Sequence, residues 1–348
     1  MFKRSFHSPT DLIKVGFIQE EDEADLFNVS EKYPLSLTPT VLKLISSRDE
    51  NDPIGRQFIP SKDELLDHDN ERSDPIGDHL KSPVHGLVHR HADRVLLKIV
   101  GVCPVYCRFC FRRDMIGPEK GTNLTDEQIE KALEYIEAHP QIWEVILTGG
   151  DPFMLSERRI GDLVGKIEKI SHVKILRWHT RVPFVDPHKI TTSFVDRLKN
   201  TSKTVIVALH VNHPKEFSEE ALIAVRELRN AGIALVSQTV LLRGVNDNVD
   251  TMEELLRAFL KAGILPYYIH HPDLARGTKH FRISIMQGLD IMRALQERLS
   301  KIARPDYVID LPDAFEKISL LSSKVRHFEE TYLIEDSQGR VHTYRDAI

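Results

Sequence analysis

The sequence predicts an α/β protein built on a parallel sheet of six β-then-α units, and three observations carry that reading. Six runs of strand length, rich in Val, Ile and Leu, recur between residues 94 and 271. Stretches with helix-start signals separate them. The order is β then α throughout, which demands right-handed crossovers and sets ligands at the carboxyl ends of the strands.

The strand candidates are, in order, RVLLKIV (94–100), WEVILTG (143–149), VKILRW (173–178), TVIVALHV (204–211), IALVSQTVLL (233–242) and LPYYIHH (265–271). Thr125 with Gln128 and Thr251 with Glu254 fit the capping box, and Ser218 precedes Glu219 and Glu220 in a first turn. Residues 1–90 hold two DPIG tetrapeptides (52–55 and 74–77) and the acidic stretch KDELLDHDNERSD (62–74), a composition suited to helices joined by turns. Such a region either packs on the barrel, at a subunit interface, or forms a solvated cap.

Composition narrows the class. With 41% apolar and 28% charged residues, the 348-residue chain can bury a large core. A net charge of −5 without a block of Lys or Arg argues against a nucleic-acid partner. The opening MFKRSFHSPTDLIKVGF has no apolar run to serve as a signal peptide, and nothing later approaches the roughly 18 apolar residues of a membrane span. The expectation is a cytoplasmic protein with no membrane partner.

The first strand candidate feeds straight into CPVYCRFC (103–110), where a βα barrel sets a cofactor loop. All three cysteines of the chain lie in those eight positions. An odd number in one cluster is no disulfide framework, so the cluster serves chemistry or metal. Structural zinc takes four ligands, usually as two separated pairs; no second cysteine pair exists, though one of the 17 histidines could complete a site. An all-cysteine iron–sulfur carrier wants four thiolates per cluster, whereas three thiolates on three irons leave one iron open.

The spacing C-x3-C-x2-C, with Phe109 before the third cysteine, resembles the signature of radical S-adenosylmethionine (SAM) enzymes. That resemblance implies a 4Fe-4S cluster on Cys103, Cys107 and Cys110, with SAM chelated at the open iron and cleaved to a 5′-deoxyadenosyl radical. In TGGDP (148–152) the glycines let backbone approach a ligand closely, and Gly149, Gly150 and Asp151 resemble the segment that meets the amino group of SAM. LHVNHP (209–214) is similar to a SAM-facing strand end, which would use His210; His210 and His213 read equally as satisfied structural histidines.

Further segments resemble the lysine 2,3-aminomutase family, in register from about residue 50 to 320: QFIPS (57–61), SPVHGLVHR (82–90), DRVLL (93–97), CRFCFRR (107–113), LTGGDP (147–152), NHP (212–214), QTVLLRGVND (238–247), PYYIHHPDLARGTKHFR (266–282) and IDLPDAFEK (309–317). The fold so implied is a partial (β/α)6 TIM-like radical SAM barrel over 91–290. A mainly helical region (1–90) precedes it, and a short C-terminal segment (291–348) completes the site. The implied activity interconverts L-α-lysine and β-lysine, an isomerase reaction that uses the adenosyl radical and pyridoxal phosphate (PLP)-assisted 1,2-amino migration. PLP needs a lysine for its Schiff base and donors for its phosphate. By resemblance these are Lys317 and, for the phosphate, Arg94 and Gln238, with Arg90 a weaker candidate. An arginine fork pairs with the substrate carboxylate, and Arg112 matches that position. A buried side-chain ammonium needs carboxylates, and Asp273 and Asp310 match the pair used by lysine-acting members.

The departures matter too. Longer members carry zinc cysteines, one of them where this chain has Asn248, so no zinc is expected; the family's tyrosine before the first strand is His91 here. The shorter architecture resembles the branch whose β-lysine goes to elongation factor P. The remaining expectations are a flavodoxin or ferredoxin reductant and a homo-oligomer. Ornithine, arginine or glutamate stand as alternative substrates, and an iron–sulfur carrier or sensor and a zinc-stabilised binding module as alternative classes.

Overall fold

The computed structural model describes residues 4–46, 51–66, 68–117, 123–311, 317–322, 324–328 and 331–346. All six expected strands are present: β2 (Arg94–Val100), β3 (Glu144–Gly149), β4 (Ile175–Thr180), β5 (Thr204–His210), β6 (Ala234–Val240) and β7 (Leu265–His270). They follow β1 (Leu87–His91) and precede β8 (Asp306–Asp310) and β9 (Lys317–Ser319) in one nine-stranded sheet whose spatial order is the chain order. β2 to β8 pair parallel, so there is one parallel strand more than the six expected, while β1 and β9 pair antiparallel at the two edges.

Helices complete the outer layer because their apolar residues recur at helical spacing. Asp126–Glu137 buries Ile129, Ala132, Leu133 and Ile136, and Glu157–Glu168 buries Ile160, Leu163, Val164 and Ile167. Thr125 and Gln128 form the expected capping box, and Ser218 caps Glu219–Asn230. The start at Thr251 is corrected: the helix Val249–Ala262 begins earlier, because the Asn248 side chain accepts the Thr251 N–H and Asn caps as well as Thr.

The sheet curls. Arg94 on β2 and Lys317 on β9 line the same cavity, and the Arg90 guanidinium on β1 reaches the Asp310 carboxylate on β8 at 3.1 Å. This ion pair joins the β1 edge of the sheet to β8, one strand in from the other edge. Along β4, Leu176 and Trp178 are buried in the main core while Arg177 and His179 line the cavity, the period of two expected of a strand.

N-terminal to the sheet lie the helices Pro9–Lys14, Glu23–Lys32, Pro39–Leu44 and Gly55–Phe58. Their apolar residues, among them Leu12, Leu42 and Phe58, form a second core that includes Val105 of the cysteine loop and Val185 after β4. C-terminal to the sheet, β10 (Val325–Phe328), β11 (Thr331–Glu335) and β12 (Val341–Arg345) make a separate antiparallel sheet. Among the described residues, no helix is long and apolar enough to cross a membrane.

Candidate active site

The cysteine loop leaves β2 at the carboxyl end of the sheet, and Cys103, Cys107 and Cys110 all line one cavity of about 250 Å³ there. Burial pushes all three thiols up, Cys110 to about 11, while the Arg181 guanidinium, which donates to Cys107 Sγ at 3.2 Å, opposes the rise at Cys107. Metal binding would convert such thiols to thiolates and release protons. Among the described residues, no three His, Cys, Asp or Glu side chains gather round a single metal-ion position. Three free thiols converging on one cavity without closing on one point fit a cluster that offers each sulfur its own iron.

The glycine pair after β3 anchors this loop. Gly149 has φ +129°, and a Cβ on Gly150 would stand 2.2 Å from the Val102 carbonyl oxygen. Gly150 N–H donates to Val100 O at 2.6 Å and Asp151 N–H to Val102 O at 3.0 Å. The close approach that the glycines allow is therefore to the stem of the cysteine loop, as well as to the cavity that both line. The Asp151 carboxylate accepts from the Thr180 hydroxyl (2.7 Å), Arg181 N–H (2.7 Å) and Phe153 N–H (3.0 Å), tying the end of β3 to the end of β4. Burial still leaves its carboxyl raised.

His210 lines the cavity at the end of β5, edge-on to Phe109, with no hydrogen-bond partner on Nε2 among the described residues. Burial, then the Arg181 charge, hold it neutral. His213 instead caps a turn by accepting the Lys215 N–H, the structural one of its two readings.

Arg112 is buried, with Nε donating to Asp78 at 3.0 Å, Nη1 3.4 Å from the Thr148 hydroxyl and the guanidinium 4.6 Å from the Phe111 ring centre. Arg94 reaches Asp93 (2.7 Å) and His91 Nδ1 (3.2 Å). Burial and the charges of Arg94 and Arg90 push His91 down to about 3, so it is neutral. Gln238 lines the cavity and pairs in register with His210 on β5 and Tyr268 on β7. Arg90 goes to Asp310 and the Leu311 carbonyl.

Lys317 pairs in register with Asp310, and its ammonium is in contact with the Asp310 carboxylate. Burial would raise that carboxyl, but Lys317, His270 and Arg90 hold it well below the usual range. Asp273, in the loop after β7, lines the same cavity with no hydrogen bond or ion pair among the described residues. Burial and the nearby Asp310 charge push it up to about 7. The structure thus brings every residue expected to hold the cluster, SAM, PLP or substrate to one cavity, while His213 lies outside its lining. Residues 312–316 of the IDLPDAFEK segment lie outside the described residues.

Sequence reasoning missed Asp78, which holds Arg112, and the group around Arg181. Alternation along β4 could have found the latter, since Arg177, His179 and Arg181 share the inward face. It missed Glu64 as well, a fully buried carboxylate between Arg108 and Arg113 on either side of Cys110.

The profile of the Radical SAM superfamily matches residues 97–259. The chain is 36% identical over 332 residues to a Clostridium subterminale protein named L-lysine 2,3-aminomutase, covering 95% of this chain and 79% of that one. It is 35% identical over 288 residues to the Escherichia coli protein of the same name, covering 82% and 83%. The chain belongs to the lysine 2,3-aminomutase family. A solved radical SAM methyltransferase from Sphaerobacter thermophilus is similar at TM-score 0.46 and 18% identity, over 64% of this chain and 68% of that one. As a lysine 2,3-aminomutase family member the chain is a radical SAM isomerase, with a 4Fe-4S cluster and SAM as cofactors.

Proposed function

We propose that the protein is an L-lysine 2,3-aminomutase that moves the α-amine of lysine to C3, using PLP held by Lys317 beside a cluster on Cys103, Cys107 and Cys110. The observation that carries the substrate reading is Asp273: a cavity carboxylate with no hydrogen bond or ion pair among the described residues, beside a second carboxylate that already holds an ammonium. A buried carboxylate is stable as an anion only when paired, so the site is built for a cationic side-chain end. Glutamate would bring a third negative charge to the same place.

When bound, PLP supplies a π-system through which an amine can pass between neighbouring carbons, and the cluster with SAM supplies a hydrogen-abstracting radical. The chain's own residues do the holding. Arg112, with one edge fixed by Asp78, presents its fork to the substrate carboxylate. Arg94 and Gln238 would take the PLP phosphate, and Gly149, Gly150, Asp151 and His210 would line the SAM side. His91, His179, His210 and His270 are all pushed down by burial, so the walls offer uncharged donors and acceptors that do not compete with the substrate's cation. A flavodoxin or ferredoxin would deliver the electron, to a homo-oligomer. The β-lysine so made would go to elongation factor P.

Lysine labelled with 15N at the α-amine tests the reaction. The expected product carries the label at C3 in the reconstituted, reduced enzyme; label lost to solvent or retained at C2 would contradict it.

A further inference from the structure

Arg181 stands one residue past β4, and its side chain is 5% exposed. Its Nη1 donates to Cys107 Sγ at 3.2 Å, and its Nη2 donates to Glu216 Oε2 and to Gln57 Oε1, both at 2.6 Å. The guanidinium lies 4.6 Å from the Phe58 ring centre and 5.7 Å from that of Phe109. Its backbone N–H is taken by Asp151, so the residue is fixed at both ends. Glu216 is fixed in turn, accepting from the backbone N–H groups of Asn212 (2.9 Å) and His213 (3.0 Å).

We propose that Arg181 is a positioning residue that sets the reduction potential of the cluster through its hydrogen bond to Cys107. The inference rests on the reading that Cys103, Cys107 and Cys110 hold that cluster. Reduction adds one electron, from an external low-potential donor, to the cluster and its thiolates. An N–H on a ligand sulfur and a cation beside it stabilise the reduced form more than the oxidised one, and hydrogen bonds to the sulfurs, net charge and burial are the levers by which proteins tune such clusters. Glu216 works against the cation. The field at Cys107 is that of a guanidinium partly neutralised by a buried carboxylate on its far side, so the two residues move the potential in opposite directions.

A merely structural Arg181, tying Gln57 to the turn after β5, would change stability and leave the potential alone. The full-length protein, reconstituted anaerobically with iron and sulfide and without SAM, PLP or substrate, is titrated potentiometrically with the reduced cluster followed by electron paramagnetic resonance. Arg181→Gln is expected to lower the equilibrium constant for reduction at least tenfold, which is about 59 mV for a one-electron couple. Glu216→Gln, which keeps the shape and removes the neutralising charge, is expected to shift it the other way. Potentials equal to wild type in both variants at full iron content overturn the inference. If Arg181→Gln does not retain its cluster, Glu216→Gln decides alone: a positive shift supports the inference and no shift overturns it. Wild-type protein that takes up no cluster refutes the reading of the cysteines, and the inference with it.

Discussion

Asp273 and Asp310 share a cavity and stand in opposite electrostatic states. Asp310 is in direct ion-pair contact with Lys317 and Arg90, whereas Asp273 feels Lys317, Arg90 and Arg112 without an ion pair to any of them among the described residues, and holds its proton up to about 7 against an ordinary 3.8. Its folded value lies above the unfolded one, so the stability it contributes is complete below the ordinary value and is lost as pH rises through about 7. On the proposed function, lysine would reverse this by bringing a paired cation, and binding would expel the Asp273 proton. Calorimetry between pH 6 and 8 should show lysine affinity rising with pH and proton release at the acid end. Asp273→Asn should flatten the profile and weaken binding at pH 8 by about 2–5 kcal/mol, the range for losing one side of a buried charge pair. A wild-type profile already flat across pH 7 would contradict this. Much of the site was legible at this scale because Lys317, Asp273 and Asp310 sit in segments with a family pattern. Asp78 and Arg181 were not, because they act on residues 34 and 74 positions away, across contacts that no local spacing records.

The cysteine loop has little regular structure of its own, and its shape comes from elements on two sides. From below, the Gly149–Gly150 backbone bonds to its stem. From the N-terminal side, Ser36 donates to the Pro104 carbonyl (2.8 Å), the Gln57 carbonyl accepts from Arg108 N–H (2.8 Å), and Glu64 pairs with Arg108 and Arg113. Breaking a buried ion pair from one side costs about 3–5 kcal/mol, enough to make the N-terminal region part of the loop's support. Gly150→Ala should force the loop stem away, because its Cβ would meet backbone and not a flexible side chain. The expected outcome is about 1–3 kcal/mol of lost stability in thermal unfolding and a fall in iron retained after desalting. Wild-type iron content and midpoint would refute the anchoring role. The strands were legible as elements because each carries an apolar run. β8 was not counted, since Asp306–Asp310 is short and runs straight into Leu311 and the following proline. The capping residue of Val249–Ala262 was misplaced because Asn248 and Thr251 both carry capping side chains, and only hydrogen-bond geometry chooses between them.

At the scale of the whole molecule, the curled sheet brings residues from both of its edges to one cavity. Arg94 near one edge, Lys317 at the other and the three cysteines all line it, and the Arg90–Asp310 pair joins β1 to β8. The strand and helix order foretold the parallel sheet, and the resemblance to radical SAM enzymes its partial closure. The antiparallel sheet β10 to β12 had no counterpart in the sequence reading, because its strands mix charged and apolar residues without a continuous run. It is joined to the end of β7 by His271, which bridges Tyr307 (2.8 Å) and Tyr344 (3.1 Å) two residues before Asp273. All these parts converge on one molecular claim, that the cavity accepts an amino acid with a cationic side chain and moves its amine. The most direct test is chromatographic. Reduced enzyme of verified iron content, supplied with SAM and PLP, is offered lysine, ornithine, arginine and glutamate in parallel. β-Lysine as the dominant product is the expected result; β-glutamate, or no β-amino acid from iron-replete enzyme, would contradict the roles assigned to Asp273 and Asp310.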